Sequence, residues 1–294
     1  MSAVMLESRG LRKSFGASEI LRGVDLRLER GQVTGLLGVN AAGKSTLIRC
    51  LLGLLRVTSG SSQLLDCDSW NLGASEKSRL GYVPQEVWLF PNLSVLGMVN
   101  YTAAFYEKWD MAFVTDLLRR WDLPTDKSCG LLSPGERQRL GIVLALGHRP
   151  ELLILDEPVA SLDPLGRRVF LESLLELMRD GERAILFSTH ITSDVERVAS
   201  HVAMMRNGVV LFHEDLGGVK DRVKRLRLHA GTSLPSSPEL PGVLRWEVQG
   251  SSGVLTVSNY TAALPDDLRA KWGADVVVDD LNLEEVFVAY HEGR

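Results

Sequence analysis

Gly38-Val39-Asn40-Ala41-Ala42-Gly43-Lys44-Ser45, with Thr46 behind it, is the stretch on which the reading of this chain turns. It satisfies the pattern G-x-x-x-x-G-K-S/T. An apolar run, Val33 to Leu37, precedes it. Leu47, Ile48, Leu51 and Leu52 follow it at helical spacing. Strand, loop, helix is the context this pattern needs to act as a phosphate cradle. The small residues let backbone N–H groups approach phosphate oxygens. The helix N-terminus, carrying about half a positive charge, faces the same anion. Lys44 is then placed to reach the β- and γ-phosphates, and Ser45 to put its hydroxyl on Mg²⁺.

A second motif lies downstream. Leu152-Leu153-Ile154-Leu155-Asp156-Glu157 is an apolar strand that ends in two acids. A strand without alternation is buried on both faces, and its carboxyl end is where α/β folds bind ligands. Asp156 suits a Mg²⁺-holding carboxylate, and Glu157 a base that polarises an attacking water.

The third motif is Leu132-Ser133-Pro134-Gly135-Glu136, ahead of the helical pattern Leu140, Ile142, Val143, Leu144, Leu146. Ser133 with Glu136 three residues on is a capping box, and Pro134 takes the favoured first helical position. The segment would start a helix well with no further duty.

Taken in order, these motifs and their neighbours resemble those of the ATP-binding cassette (ABC) ATPases over residues 1 to about 218. GVNAAGKST matches the Walker A loop. Gln85, in Gly81-Tyr82-Val83-Pro84-Gln85, looks like the Q-loop glutamine. LSPGE is similar to the signature LSGGQ, with Ser133 and Gly135 kept. ILDEP matches Walker B, and Ser161-Leu162-Asp163 the D-loop. His190, in Phe187-Ser188-Thr189-His190, matches the switch histidine. Phe15 stands where the family carries an aromatic that stacks on adenine.

The resemblance implies ATP and Mg²⁺ as cofactors. It assigns catalytic roles to Glu157, His190 and Lys44. Nucleotide contacts fall to Phe15, to the loop Gly38, Val39, Asn40, Ala41, Ala42, Gly43, Lys44, Ser45 and Thr46, and to Gln85, Ser133, Gly135 and Asp163. The metal falls to Ser45, Gln85 and Asp156. It further implies that two cassettes sandwich two ATP molecules head to tail, so that Ser133 and Gly135 of one serve the γ-phosphate held by the other. Some positions depart from the family pattern. Val39 replaces a proline. Ala41 replaces a glycine, which costs strain of order 1 kcal/mol if the site needs φ > 0. Pro134 and Glu136 replace Gly and Gln in the signature, and Glu136 brings a negative charge toward a polyphosphate.

The rest of the chain is consistent with an α/β fold of the P-loop NTPase type. Residues 1–30 alternate as antiparallel strands around the turn at Phe15-Gly16-Ala17-Ser18. The expected core is a mainly parallel sheet with helices, carrying a helical subdomain at about 86–150 rich in aromatics. Composition shifts near 218. Residues 219–294 then predict a small accessory α+β domain, with a Pro/Ser loop or linker at 233–241 and a hairpin across Gly250-Ser251-Ser252-Gly253.

The protein has 294 residues, 45% hydrophobic and 24% charged, which excludes disorder and disulfide scaffolds. Lys and Arg number 33 against 37 Asp and Glu, a net charge of −4 that argues against nucleic acid as a partner. No stretch is long and apolar enough to span a bilayer, and no signal-peptide core opens the chain. Three scattered cysteines suit a reducing compartment. Ala104 to Asp110, Ser188 to Asp194 and Asn282 to Phe287 resemble ATPase subunits of ABC-2-type exporters. The implied partners are a transmembrane ABC-2-type permease and a second cassette, identical or related, at the cytoplasmic face of the membrane. A soluble ABC ATPase of the cluster-assembly type is the alternative. The basic run Lys220 to Arg227 reads as a solvated face, or else as a lipid-headgroup contact.

Overall fold

Every residue of Val33–Leu37, Leu152–Asp156 and Ala184–Thr189 is buried. These three apolar runs lie side by side at the centre of one sheet, as strands without a polar face must. A computed structural model describes residues 4–292 of the chain. The chain divides into two units, Met1–His213 and Glu214–Arg294.

The first unit opens with a long antiparallel hairpin, β1 (Val4–Phe15) and β2 (Ser18–Glu29). β3 (Val33–Leu37) leads through the phosphate loop into α1 (Lys44–Leu51). β4 (Ser59–Leu64) and β5 (Cys67–Asp68) complete a four-stranded antiparallel sheet in the order β2-β1-β4-β5. A short α2 (Ala74–Lys77) precedes β6 (Leu80–Val83). α3 (Val95–Ala103), α4 (Met111–Arg120) and α5 (Pro134–Leu146) form the helical part. Then come β7 (Leu152–Asp156), α6 (Pro164–Leu177), β8 (Ala184–Thr189), α7 (Thr192–Val198), β9 (His201–Arg206) and β10 (Val209–Asp215). The larger sheet runs β10-β9-β3-β8-β7-β6, and its members from β9 to β6 are parallel. Strand order breaks between β3 and β7, across β8, and there the loops after β3 and β7 share one sheet edge.

The core between the two sheets joins Leu6, Leu11, Leu21 and Leu28 of the hairpin to Leu47, Ile48 and Leu51 of α1 and to Leu36, Ile154 and Leu186 beneath. Each such side chain contributes about 1.5–3 kcal/mol on burial. The helix carrying the phosphate loop is thus clamped from both sides.

The helical expectation for about 86–150 is met by α3, α4 and α5, with irregular stretches between them. Residues 84–94 and 121–128 are irregular, because Pro84, Pro91 and Pro124 interrupt backbone hydrogen bonding there.

The second unit begins earlier than the composition shift suggests. It contains α8 (Leu216–Arg222), β11 (Lys224–Ala230), β12 (Val243–Gln249), β13 (Ser252–Val257), α9 (Leu264–Trp272), β14 (Ala274–Asp280) and α10 (Leu283–Glu292). Its antiparallel sheet runs β12-β13-β11-β14. Leu226, Leu228, Leu255, Val257, Leu268 and Val276 make its core. The Pro/Ser stretch at 233–241 is a loop inside this unit, with Leu234 buried in that core. The basic run is ion-paired within the unit. Arg222 meets Glu214 at 2.7 Å, Lys224 meets Asp280 at 2.7 Å, Arg225 meets Glu285 at 2.9 Å and Arg227 meets Asp279 at 2.7 Å. These ion pairs lie within the unit, with Lys224 12% exposed and Arg227 61% exposed.

Candidate nucleotide site

The loop after β3 turns sharply into α1, and its N-cap, Gly43, sits at φ 106°. No side chain caps this helix start. Its first N–H groups therefore face outward unpaired by side chains, as an anion site requires. Ala41 has φ 64°, the left-handed conformation that a Cβ disfavours. The strain expected from the glycine-to-alanine departure is thus present. Ala41→Gly should stabilise the protein by about 1 kcal/mol by removing it. A thermal melt that shows the variant less stable would contradict this.

Lys44 is buried and reaches back over its own loop. Its Nζ donates to Gly38 O at 2.7 Å and to Val39 O at 3.3 Å. The same ammonium lies 3.0 Å from Glu157 Oε1, with both side chains more than nine-tenths buried. Gly38 and Val39 thus act through their carbonyls on Lys44. Asn40 to Thr46 line the cavity itself, which holds about 530 Å³. Phe15, Gln85, Glu157 and His190 complete its wall. Phe15 is half exposed, a ring left free on one face, with Lys13 Nζ 4.8 Å from its centroid.

The two acids at the end of β7 are held differently. Asp156 is fully buried. Its Oδ1 accepts from Ser45 Oγ at 3.0 Å and from Ser188 Oγ at 2.7 Å. Its Oδ2 has no hydrogen-bond partner among the described residues. Glu157 adopts φ 49°, and its N–H donates to Ser188 Oγ at 2.9 Å. A non-glycine residue in that region costs of order 1–3 kcal/mol, the kind of strain that gathers at functional sites. The turn throws the Glu157 carboxylate away from Asp156 and into the cavity. There Oε2 lies 3.0 Å from His190 Nδ1. Lys44, Glu157 and His190 form one contiguous polar chain.

Of the residues that the sequence proposes, Phe15, Asn40 to Thr46, Gln85, Glu157 and His190 line this cavity, and Asp156 joins them through Ser45. Sequence reasoning missed three wall or support residues. Ile20 and Ala160 line the cavity, and no local pattern marks them. Ser188 secures both acids. Its signal was present in the run Phe187-Ser188-Thr189-His190, where a buried hydroxyl in an apolar strand needs partners.

Ser133, Gly135 and Asp163 do not line this cavity. Ser133 is the N-cap of α5, and its Oγ accepts from Glu136 N at 3.2 Å. Gly135 is required by its own chain, because a Cβ there would lie 2.9 Å from Ser161 O. Asp163 caps α6, accepting from Gly166 N at 2.7 Å.

The charge that Glu136 brings to the signature is offset locally. Both its oxygens accept from Lys127 Nζ at 2.9 Å, and Oε2 also accepts from Ser133 N at 2.7 Å. The Lys127 contact and the Ser133 N–H hold its carboxyl down at about 2, against an ordinary 4.5. A depressed carboxyl contributes stability above its ordinary value and loses it as pH falls through the folded one. Melting temperature should therefore fall between pH 4.5 and about 2 in the wild type. The fall should be shallower in Glu136→Gln. Parallel acid limbs for the two proteins would contradict the pairing.

Comparison with known proteins places this geometry. A family profile described as ABC transporter matches residues 21–160. An uncharacterised ABC transporter ATP-binding protein, YhaQ of Bacillus subtilis (strain 168), is 31% identical over 265 residues, covering 87% of each chain. The phosphonates import ATP-binding protein PhnC 1 of Rhodopseudomonas palustris (strain BisB18) is 34% identical over 238 residues, covering 74% of this chain and 87% of its own. Among solved structures, one described as an ATP binding subunit of an ABC transporter superposes with a TM-score of 0.68 at 28% identity. It covers 74% of this chain and 92% of its own. At these identities and coverages the chain belongs to the ABC transporter ATP-binding proteins and is an ATPase of that family.

Proposed function

We propose that this protein hydrolyses ATP to drive export through a separate ABC-2-type membrane permease, acting head to tail with a second cassette, identical or related, at the cytoplasmic face of the membrane. One observation carries the pairing. The signature residues Ser133 and Gly135 lie outside the cavity that Lys44 and Glu157 line. A signature supplied by a second cassette, identical or related, would complete the site around a γ-phosphate in that cavity.

The donor set fits Mg²⁺. Ser45 Oγ and the unpartnered, buried Asp156 Oδ2 are hard oxygen ligands, and Gln85 lines the same wall. Two or three protein oxygens suit an ion that takes its remaining ligands from phosphates and water. Bound there, the ion would neutralise charge between the β- and γ-phosphates.

Arriving ATP would draw the Lys44 ammonium from Glu157 Oε1 to its phosphate oxygens. That exchange frees one carboxylate oxygen to accept a proton. His190 holds the other through Nδ1. Water then attacks the γ-phosphorus, its proton passes to Glu157, and the bond to the β–γ bridging oxygen breaks.

Permease docking is supported by the surface past Gln85. A groove of about 630 Å³ runs between Gln85 to Leu89 and Pro91 on one side and Gly130, Pro134 and Arg137 on the other. Trp88 stands 87% exposed in its wall. Phe90, Tyr101 and Phe105 extend an edge-to-face ladder with centroids 5.0 and 5.2 Å apart. So much exposed aromatic surface on one face is the mark of a binding patch. The accessory unit is proposed to regulate, dimerise or contact the permease.

The test is purification from detergent-solubilised membranes of cells expressing a tagged chain. A multi-span protein should co-elute, and Trp88→Glu should release it. Recovery of the chain without any membrane protein would favour the soluble cluster-assembly type. Loading of everted vesicles fixes direction: accumulation inside them supports export, and depletion supports import.

A further inference from the structure

α6 begins at its cap Asp163, and α7 begins just beyond His190. Arg167 stands one turn into α6, with its N–H bonded to Asp163 O at 2.9 Å. Asp194 stands in the first turn of α7. Arg167 Nε donates to Asp194 Oδ1 at 2.6 Å, and Nη2 to Ser193 Oγ at 3.3 Å. The Asp194 side chain is 4% exposed, and its Oδ2 has no hydrogen-bond partner among the described residues. Burial pushes this carboxyl up, with Arg167 the main opposing influence. Arg197 and His190 add weaker attraction. A buried carboxylate bonded to one guanidinium is a costly device for mere stability, since an apolar pair often packs as well.

Its position suggests what it serves. Only His190 and Ile191 separate β8 from α7. α7 is seven residues long, and no side chain caps it. Ile191 N–H donates to Thr189 Oγ1 at 3.0 Å, which secures the strand side of the turn. The helix side is secured by Asp194. His190 itself is half exposed and makes its contact with Glu157 from this turn.

We infer that Arg167 and Asp194 form a positioning couple that holds the turn bearing His190 against the start of α6, so that the imidazole stays within hydrogen-bond reach of Glu157. Arg167 is no part of the cavity wall. The α6 cap, Asp163, lies just past Ser161, whose carbonyl faces Gly135 of the signature. The couple therefore also ties the turn to the segment that a second copy would press upon. The inference rests on the reading of His190 given above.

The test uses the full chain and three variants at the couple. Asp194→Asn keeps shape and leaves no buried carboxylate. It should lower kcat for ATP hydrolysis about tenfold, with KM for ATP within about twofold and little change in melting temperature. Arg167→Ala should do the same to kcat, and Arg167→Lys should recover most of it. An independent signature is the ¹⁵N resonance of His190 Nδ1, which should move in Asp194→Asn and stay in Arg167→Lys. Unchanged kcat in Asp194→Asn, a KM that rises as the melting temperature falls, or an unmoved His190 resonance overturns the couple. His190→Ala separates the two levels. If that variant turns over like wild type, the reading of His190 fails and the couple with it. If it is inactive while Asp194→Asn is not, only the couple fails.

Discussion

Glu157→Gln binds ATP and does not turn it over. The amide matches the carboxylate in shape and can keep φ 49°, the N–H bond to Ser188 and a contact with His190. It cannot take up a proton from water. Removing a positioned base costs about 10²–10⁴ in rate, so steady-state hydrolysis should fall at least a hundredfold. The structure adds a second effect. Lys44 loses its 3.0 Å anionic partner and keeps only two carbonyl acceptors. The nucleotide-free variant should melt lower than wild type, since an unpaired buried ammonium is costly. ATP should restore the loss by supplying the missing anion, so the ATP-induced rise in melting temperature should exceed that of wild type. Calorimetric titration and a melt with and without ATP measure both. Hydrolysis within threefold of wild type would remove Glu157 from the base role, and an equal ATP-induced rise would remove the Lys44 exchange.

Ser133→Asp folds and fails to pair. Aspartate caps a helix at least as well as serine and suits the positive end of α5. The capping box can survive, because the Ser133 N–H that Glu136 accepts belongs to the backbone. Lys127 remains close by to balance the added charge. Thermal stability should therefore change by less than about 1 kcal/mol. In a head-to-tail pair the same carboxylate would sit within a few ångströms of a γ-phosphate, in a site that closure dries. Like charges at low dielectric repel by several kcal/mol. ATP should still bind the Walker loop, since Ser133 is no part of that cavity. Size-exclusion chromatography with ATP, in the Glu157→Gln background, should show a dimer when Ser133 is intact and a monomer when it is replaced by aspartate. Hydrolysis should be lost when Glu157 is restored. A stable variant that still pairs and turns over would return the segment to plain capping.

Local rules made much of this legible. The loop from Gly38 to Ser45, the apolar strand ending in Asp156 and Glu157, and the capping box at Ser133 each follow from contacts within a few residues. Periodicity and turn chemistry capture contacts of that range. The core strands were readable for the same reason, since burial on both faces leaves no polar alternation. The irregular stretches at 84–94 and 121–128 were signalled by Pro84, Pro91 and Pro124, yet the aromatic spacing around them mimicked helix.

What only the folded chain decided is distance across the sequence. Lys44 and Glu157 are far apart in the chain and 3.0 Å apart in space because β3 and β7 flank β8 in one parallel sheet. Ser188 secures both acids from that intervening strand. The offset of Glu136 by Lys127, and the tie between Arg167 and Asp194, likewise join separate elements. Sequence alone determined which groups this protein offers for the proposed holding and cleaving of a phosphate chain, because each motif is a local backbone shape with a local chemistry. Which charges neutralise one another depended on tertiary packing. A Coulombic contact depends on separation in space, and the order of strands in the sheet sets that separation.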